Sequence, residues 1–181
     1  MENSTQKTSQ FIFASGLILF SALSRLLPHP LNFSPIGAMA LFGGVYLEKR
    51  LAFILPLFAM LLSDVILGFH SQIIFVYGSF LVIGFIGQWL KNRKSVGMIT
   101  LSTLASSLIF FVITNFGMWF MQRFYSTPLY TNDVSGLVTC FVAAIPFFQN
   151  TLAGDVVYVS VMFGAFELAK KFVPQALLQK N

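Results

Sequence analysis

The segment that decides the fold reads Arg25-Leu-Leu-Pro-His-Pro-Leu-Asn-Phe-Ser-Pro-Ile-Gly-Ala-Met-Ala-Leu-Phe-Gly-Gly44. Pro28, Pro30 and Pro35 each lack an N–H and bias the residue before them towards extended backbone. Residues 25–34 are therefore expected to break the helical path. From Pro35 the pattern changes to small residues among large ones: Gly37, Ala38, Ala40, Gly43 and Gly44. That is the pattern of a closely packed membrane helix, with Pro35 suited to its first turn. A polar, non-helical stretch running into a thin helix predicts a binding loop laid over a helical bundle.

The residues on either side supply the bundle. Hydrophobic residues make up 56% of the chain, charged residues 9%, and the mean hydropathy is +0.80. A soluble domain carries roughly a quarter charged residues, so this composition predicts an integral membrane protein. Cys140 is the single cysteine, which excludes an intrachain disulfide. The net charge of +5 comes from basic residues at the ends of apolar runs, a placement that belongs to membrane topology and not to nucleic-acid binding. The pattern predicts one all-α, polytopic domain of six transmembrane helices over residues 11–172. Cytoplasmic tails are expected at 1–10 and 173–181, and no cleavable signal peptide is evident.

The first span is expected over Phe11 to Leu27 and the second, short one over Pro35 to Leu47. The third runs from Leu51 to Phe69, the fourth from Ile73 to Leu90 and the fifth from Val96 to Gln122. Gly136 to Ala169 exceeds one ordinary span and contains Pro146, so a broken, tilted helix or two short ones is expected there. With the N-terminus inside, Lys7, Lys49, Arg50, Lys91, Arg93, Lys94, Lys170, Lys171 and Lys180 all fall on the cytoplasmic side. That leaves only Arg25 and Arg123 outside, and the asymmetry predicts six spans with both termini cytoplasmic. The Pro-rich loop, the His70 turn and the Tyr125–Ser135 connection then share the outer face.

Asp64 and Asp155 are the acidic residues inside apolar runs. A carboxylate in the bilayer is costly, so each is expected to face a partner or a wet cavity: Asp64 as a ligand or proton group, Asp155 chiefly as a helix–helix contact. His29 and His70 fall near the outer face and suit contact with a ligand. Their spacing matches no metal-binding motif, so neither a metal nor a cofactor is expected. Asn32, Asn115 and Asn150 carry donors and acceptors for a polar small molecule, or for bonds between helices. Trp119 suits an aromatic belt as well as a pocket wall, and Arg25 an anionic group as well as the headgroups. Gly78-Ser79 and Gly154-Asp155 are fragments of intramembrane protease signatures without their surroundings, so catalysis is not expected.

The opening segment, together with Leu62-Ser-Asp-Val-Ile-Leu-Gly-Phe-His70, Val76-Tyr-Gly78 and Ile145-Pro-Phe-Phe-Gln-Asn-Thr-Leu-Ala-Gly-Asp155, resembles an uncharacterised family of small bacterial membrane proteins over nearly the whole chain. More distantly, the layout resembles the S-components of energy-coupling-factor vitamin transporters, and among them the solitary cobalamin transporters. That resemblance implies an S-component-like bundle in the bacterial inner membrane. It also implies capture of a vitamin or related micronutrient beneath outer loops, and an energising transporter module as partner. Two departures are visible. The first span lacks the Ala-x-x-x-Ala docking pattern, the nearest small pair being Ala40 and Gly44, and Cys140 does not correspond to a cobalt-ligating cysteine. The expected pocket is built from Arg25, His29, Asn32, Asp64, His70, Asn115, Trp119 and Asn150. Asn32 and Asn150 would hydrogen-bond the ligand, the histidines would contact it, and Asp64 would orient a histidine or bind a cationic group. A membrane scaffold or assembly factor, with these residues as glue between helices, is the alternative, and an intramembrane enzyme comes third. The expected partners are therefore the lipid bilayer and a small molecule, with no nucleic acid.

Overall fold

The short helix α2, Ile36–Tyr46, is the centre of the molecule: every residue from Ala38 to Val45 is buried. Around it lie α1 (Ser4–Ser24), α3 (Leu51–Leu67), α4 (Ile73–Leu90), α5 (Val96–Met121) and α6 (Val134–Leu178), and α2 touches all five. The computed structural model describes residues 4–48 and 50–178, with side chains for 7–48 and 50–171. No strand occurs among the described residues, and the fold is all-α with six helices.

Small residues let the backbones of α2 and α4 meet. A Cβ on Gly44 would fall 2.7 Å from the Gly87 Cα, and one on Gly43 would fall 2.8 Å from the Pro56 ring of α3. On the face towards α6, Phe42 packs edge-on against Phe163 and Phe166, with centroids 5.4 and 5.5 Å away, and Tyr46 lies over Phe166 at 4.1 Å. Edge-to-face ring pairs stabilise by about 0.5–1.5 kcal/mol beyond the area they bury. Such a helix gains most of its stability from packing on all sides, because 11 residues are too few for a stable isolated helix.

Large apolar side chains point outward along the other helices, among them Ile12, Phe20, Ile54, Ile66, Ile74, Phe85 and Leu101. Ile73–Leu90, Val96–Phe124 and Val134–Lys171 are long and apolar enough to cross a membrane, while Ile36–Tyr46 and Leu51–Leu67 are apolar but shorter. These features are consistent with an integral membrane protein.

Two expectations need correction. The segment containing Pro146 is neither broken nor double; it is one helix of 45 residues. Proline removes one N–H from the ladder, and the apolar, helix-compatible residues around it carry the helix through. The first helix begins at Ser4, well before the apolar run, and stops at Ser24 in a turn where Arg25 N–H donates to Ala22 C=O at 3.2 Å. Hydropathy marks where a segment meets lipid, whereas backbone hydrogen bonding continues into polar sequence.

A latched loop over a polar cavity

Between α1 and α2, the Pro-rich segment folds back onto the bundle instead of standing clear of it. At its start, Arg25 Nη2 lies 2.8 Å from Asp64 Oδ1, the two side chains being 11% and 1% exposed. Arg25 Nη1 donates to Ser63 Oγ, and Tyr77 Oη donates to Asp64 Oδ2 at 2.9 Å. One residue from each of α3 and α4 thus satisfies the carboxylate and guanidinium that meet beside α1. Charge-assisted bonds of this kind are about twice as strong as neutral ones.

The far end of the loop rests on α6. Asn150 Nδ2 donates to Leu31 C=O at 2.9 Å, Phe33 packs on Tyr158 at 5.9 Å, and the Tyr158 hydroxyl is 3.0 Å from Ser24 Oγ. A Cβ on Gly154 would lie 3.0 Å from Ser34 N, so the loop backbone sits directly on the helix surface there. Between these anchors Phe33 N–H closes a turn onto Pro30 C=O at 3.0 Å, which leaves Asn32 left-handed at φ 64°. Asparagine tolerates that conformation better than other residues bearing a Cβ, though still at a cost.

Two small cavities adjoin beneath the turn, about 70 and 80 Å³ in volume, and both are lined by Asn32, Phe110 and Thr151. Ser34, Gly37 and Asp155 complete the first; Thr114, Asn115 and Phe148 help to close the second. Asp155 is 3% exposed. It accepts the Ser107 hydroxyl at 2.6 Å and the Ala38 N–H. Pro35 gives α2 no side-chain cap, so the carboxylate from α6 stands where a cap would, at the positive end of the helix dipole. Gly37 permits this: a Cβ there would be 2.5 Å from Asp155 Oδ1. The Ser34 hydroxyl is buried without a protein partner beside the same space. The first cavity thus gathers an unpaired hydroxyl, the Asn32 amide and a carboxylate, and the second the Asn32 and Asn115 amides, with Asn115 Nδ2 donating to Phe111 C=O at 2.7 Å. Together they form a hydrogen-bonding set suited to a small polar molecule.

The structure brings some of the expected site residues together and separates others. Arg25 and Asp64 meet each other, so the cationic partner of Asp64 is within the chain and neither histidine is bonded to it. Asn32 and Asn115 share a cavity, and Asn150 holds the loop backbone. His29 and His70 are exposed. Trp119 lies away from the cavity: its Nε1–H donates to Thr131 C=O at 3.1 Å and its ring lies 5.3 Å from the Arg123 guanidinium. Nearby, Asp133 accepts from Thr131 Oγ1 at 2.6 Å and from Gly136 N–H at 2.8 Å, which holds its carboxyl below the ordinary range and caps the start of α6. No cluster of three His, Cys, Asp or Glu side chains suited to a metal occurs among the described residues.

Ser34, Ser107 and Thr151 were not among the expected site residues, and Asp155 was read as a helix contact. One signal could have pointed to Asp155. A helix that starts Pro-Ile-Gly without a capping side chain needs an acceptor from another part of the chain.

Residues 5–176 match the model of a family described as a family of unknown function (DUF6580). No curated protein and no solved structure matches the chain.

Proposed function

The chain belongs to this family of unknown function, and from its latched loop and cavity we propose a membrane transport protein that captures a small polar molecule at the outer face for uptake. In this reading all six helices span the inner membrane with both termini cytoplasmic, in an S-component-like arrangement, and the cargo is a vitamin or related micronutrient. The observation that carries it is a buried carboxylate and an unpaired hydroxyl beside cavities roofed by a loop that is pinned at both ends.

The cavities are smaller than the roughly 300 Å³ or more that a drug-sized ligand fills, so capture requires the loop to lift. Asn32 and Asn115 line the space directly, Asp155 and Ser34 offer it an acceptor and a hydroxyl, and Arg25–Asp64 is the latch. His29, exposed within the loop, and His70, exposed in the α3–α4 connection, meet the cargo on entry, and Asn150 returns the loop to its seat. Release to the other side needs a second conformation, and an energising partner module would supply the bias between the two.

The test is native mass spectrometry of the protein in mild detergent, with a vitamin panel followed by thermal shift. A small molecule retained by the native chain and lost in Asn32→Ala or Asp155→Asn, both still folded, supports capture. If nothing is retained and no vitamin shifts the melting temperature, capture is rejected.

The scaffold reading has one specific observation in its favour: the Arg25, Asp64, Asn150 and Trp119 side chains all bond within the chain. Under that reading their substitution lowers stability and removes no binding.

A further inference from the structure

At the end of the bundle opposite the latch, four lysines from three parts of the chain line one cavity of about 620 Å³: Lys7 of α1, Lys91 and Lys94 of the α4–α5 connection, and Lys170 of α6. Its walls include Phe11, Val45, Leu51 and Phe166, so the basic groups surround an apolar interior. Two glutamates reduce the charge only in part. Glu48 lines the same cavity, and Glu167 is engaged by the Tyr46 hydroxyl at 2.6 Å and by Lys170 Nζ at 3.2 Å. Lys94 Nζ sits 4.9 Å over the Tyr46 ring, and Lys91 Nζ reaches the Leu47 carbonyl at 3.5 Å, so both heads turn in over α2. Burial, with Lys170 and Lys91 close by, lowers the Lys94 pKa, as expected where positive charge is crowded.

Beside it runs a second cavity of about 460 Å³ between α1 and α6, lined by Ile12, Phe13, Phe166 and Ala169. The two share Gln10, Phe166 and Lys170, so a basic chamber opens into an apolar groove. A soluble phosphate ester has no use for the groove, and a hydrocarbon chain has no use for the lysines. A molecule with an anionic head and an acyl tail uses both.

We propose that this paired site binds one anionic phospholipid, its phosphate among Lys7, Lys91, Lys94 and Lys170 and an acyl chain along the α1–α6 groove. The site lies where positively charged termini are expected to face the anionic leaflet, and lysines close to such a surface strengthen the attraction to it. The lipid would bridge α1 and α6, tying the first helix to the last. This proposal is independent of solute capture at the other end.

Native mass spectrometry of the delipidated protein with added phosphatidylglycerol or phosphatidylcholine tests it, with inorganic phosphate as the soluble arm. The expected result is a phosphatidylglycerol adduct at least tenfold more abundant than the phosphatidylcholine one. It is lost in Lys7→Gln/Lys94→Gln/Lys170→Gln, kept when the same positions are arginine, and not displaced by millimolar phosphate. The arginine variant guards against a glutamine variant that fails to fold. Equal retention of the two lipids, or retention of phosphatidylglycerol by the glutamine variant, overturns the proposal. So does displacement by inorganic phosphate, which would assign the chamber to a soluble anion.

Discussion

Replacing Arg25 with glutamine isolates the latch. The guanidinium is one of two side chains that satisfy Asp64, the other being the Tyr77 hydroxyl, and Asp64 is 1% exposed. Without the cation, the buried carboxylate retains one neutral donor, the Tyr77 hydroxyl. Breaking a buried pair from one side costs about 3–5 kcal/mol, since the charge left behind is uncompensated. For a chain of this size each kcal/mol moves the melting midpoint by about 2–4 °C, so Arg25→Gln is expected to melt about 6–20 °C lower. Replacing both members, as Arg25→Met with Asp64→Leu, removes the stranded charge. It should recover most of the loss, because a well-packed apolar pair is often as stable as the buried ion pair it replaces. The assay is thermal unfolding of the native chain, Arg25→Met, Asp64→Leu and their double variant, with Arg25→Gln alongside, in one detergent, followed by tryptophan fluorescence; the first four form the cycle. A single-substitution cost below about 1 kcal/mol, additive with that of Asp64→Leu, would refute the reasoning and return the pair to the class of solvated surface bridges.

Three further outcomes follow from the geometry. Gly44→Ala forces a methyl group against the α4 backbone, 2.7 Å from Gly87 Cα, and should cost about 3 kcal/mol in the same melting assay; Gly16→Ala, with open space around it, should cost far less. Asn32→Gly, at φ 64°, should be neutral or slightly stabilising and Asn32→Val destabilising by about 1–2 kcal/mol; equal stabilities would mean that the turn relaxes. Asp133 has its folded-state pKa held below the ordinary 3.8 by the Thr131 hydroxyl and the Gly136 N–H. Its contribution is therefore complete above about pH 4 and fades as pH falls through the lower folded value. Hydrogen exchange at Gly136 should quicken on going from pH 6 to pH 3, after correction for intrinsic rates, and Asp133→Asn should remove that dependence.

The helices were legible because apolar runs and their polar punctuation mark apolar helices well. The fourth matched at both ends, Ile73 and Leu90, because Gln72 and the basic run from Lys91 bound it sharply. Composition also marked α2 as a tightly packed helix, since glycine and alanine at 37, 38, 40, 43 and 44 have little other use in an apolar run. The continuity of α6 was not legible, because proline argues locally for a break and only the surrounding helix overrules it. The site was harder still. Asp64 could be seen to need a partner, but the expected one was a histidine or a cationic group; that Arg25 reaches it depends on how α1 and α3 cross. Asp155 was the more instructive case: its use lies in the missing cap of a helix 119 residues earlier, a relation that no spacing along α6 encodes.

That distance has a consequence for how the chain is made. Translation delivers α2 early and α6 last, yet the short central helix depends on α6 for the acceptor at its N-terminus and for the aromatic wall formed by Phe163 and Phe166. Until the final segment has been made, these eleven apolar residues have no finished place to sit. While synthesis continues α2 has only α1, α3, α4 and α5 to pack against, and a product truncated before Val134 lacks both the acceptor and the aromatic wall, so it is not a smaller version of the fold.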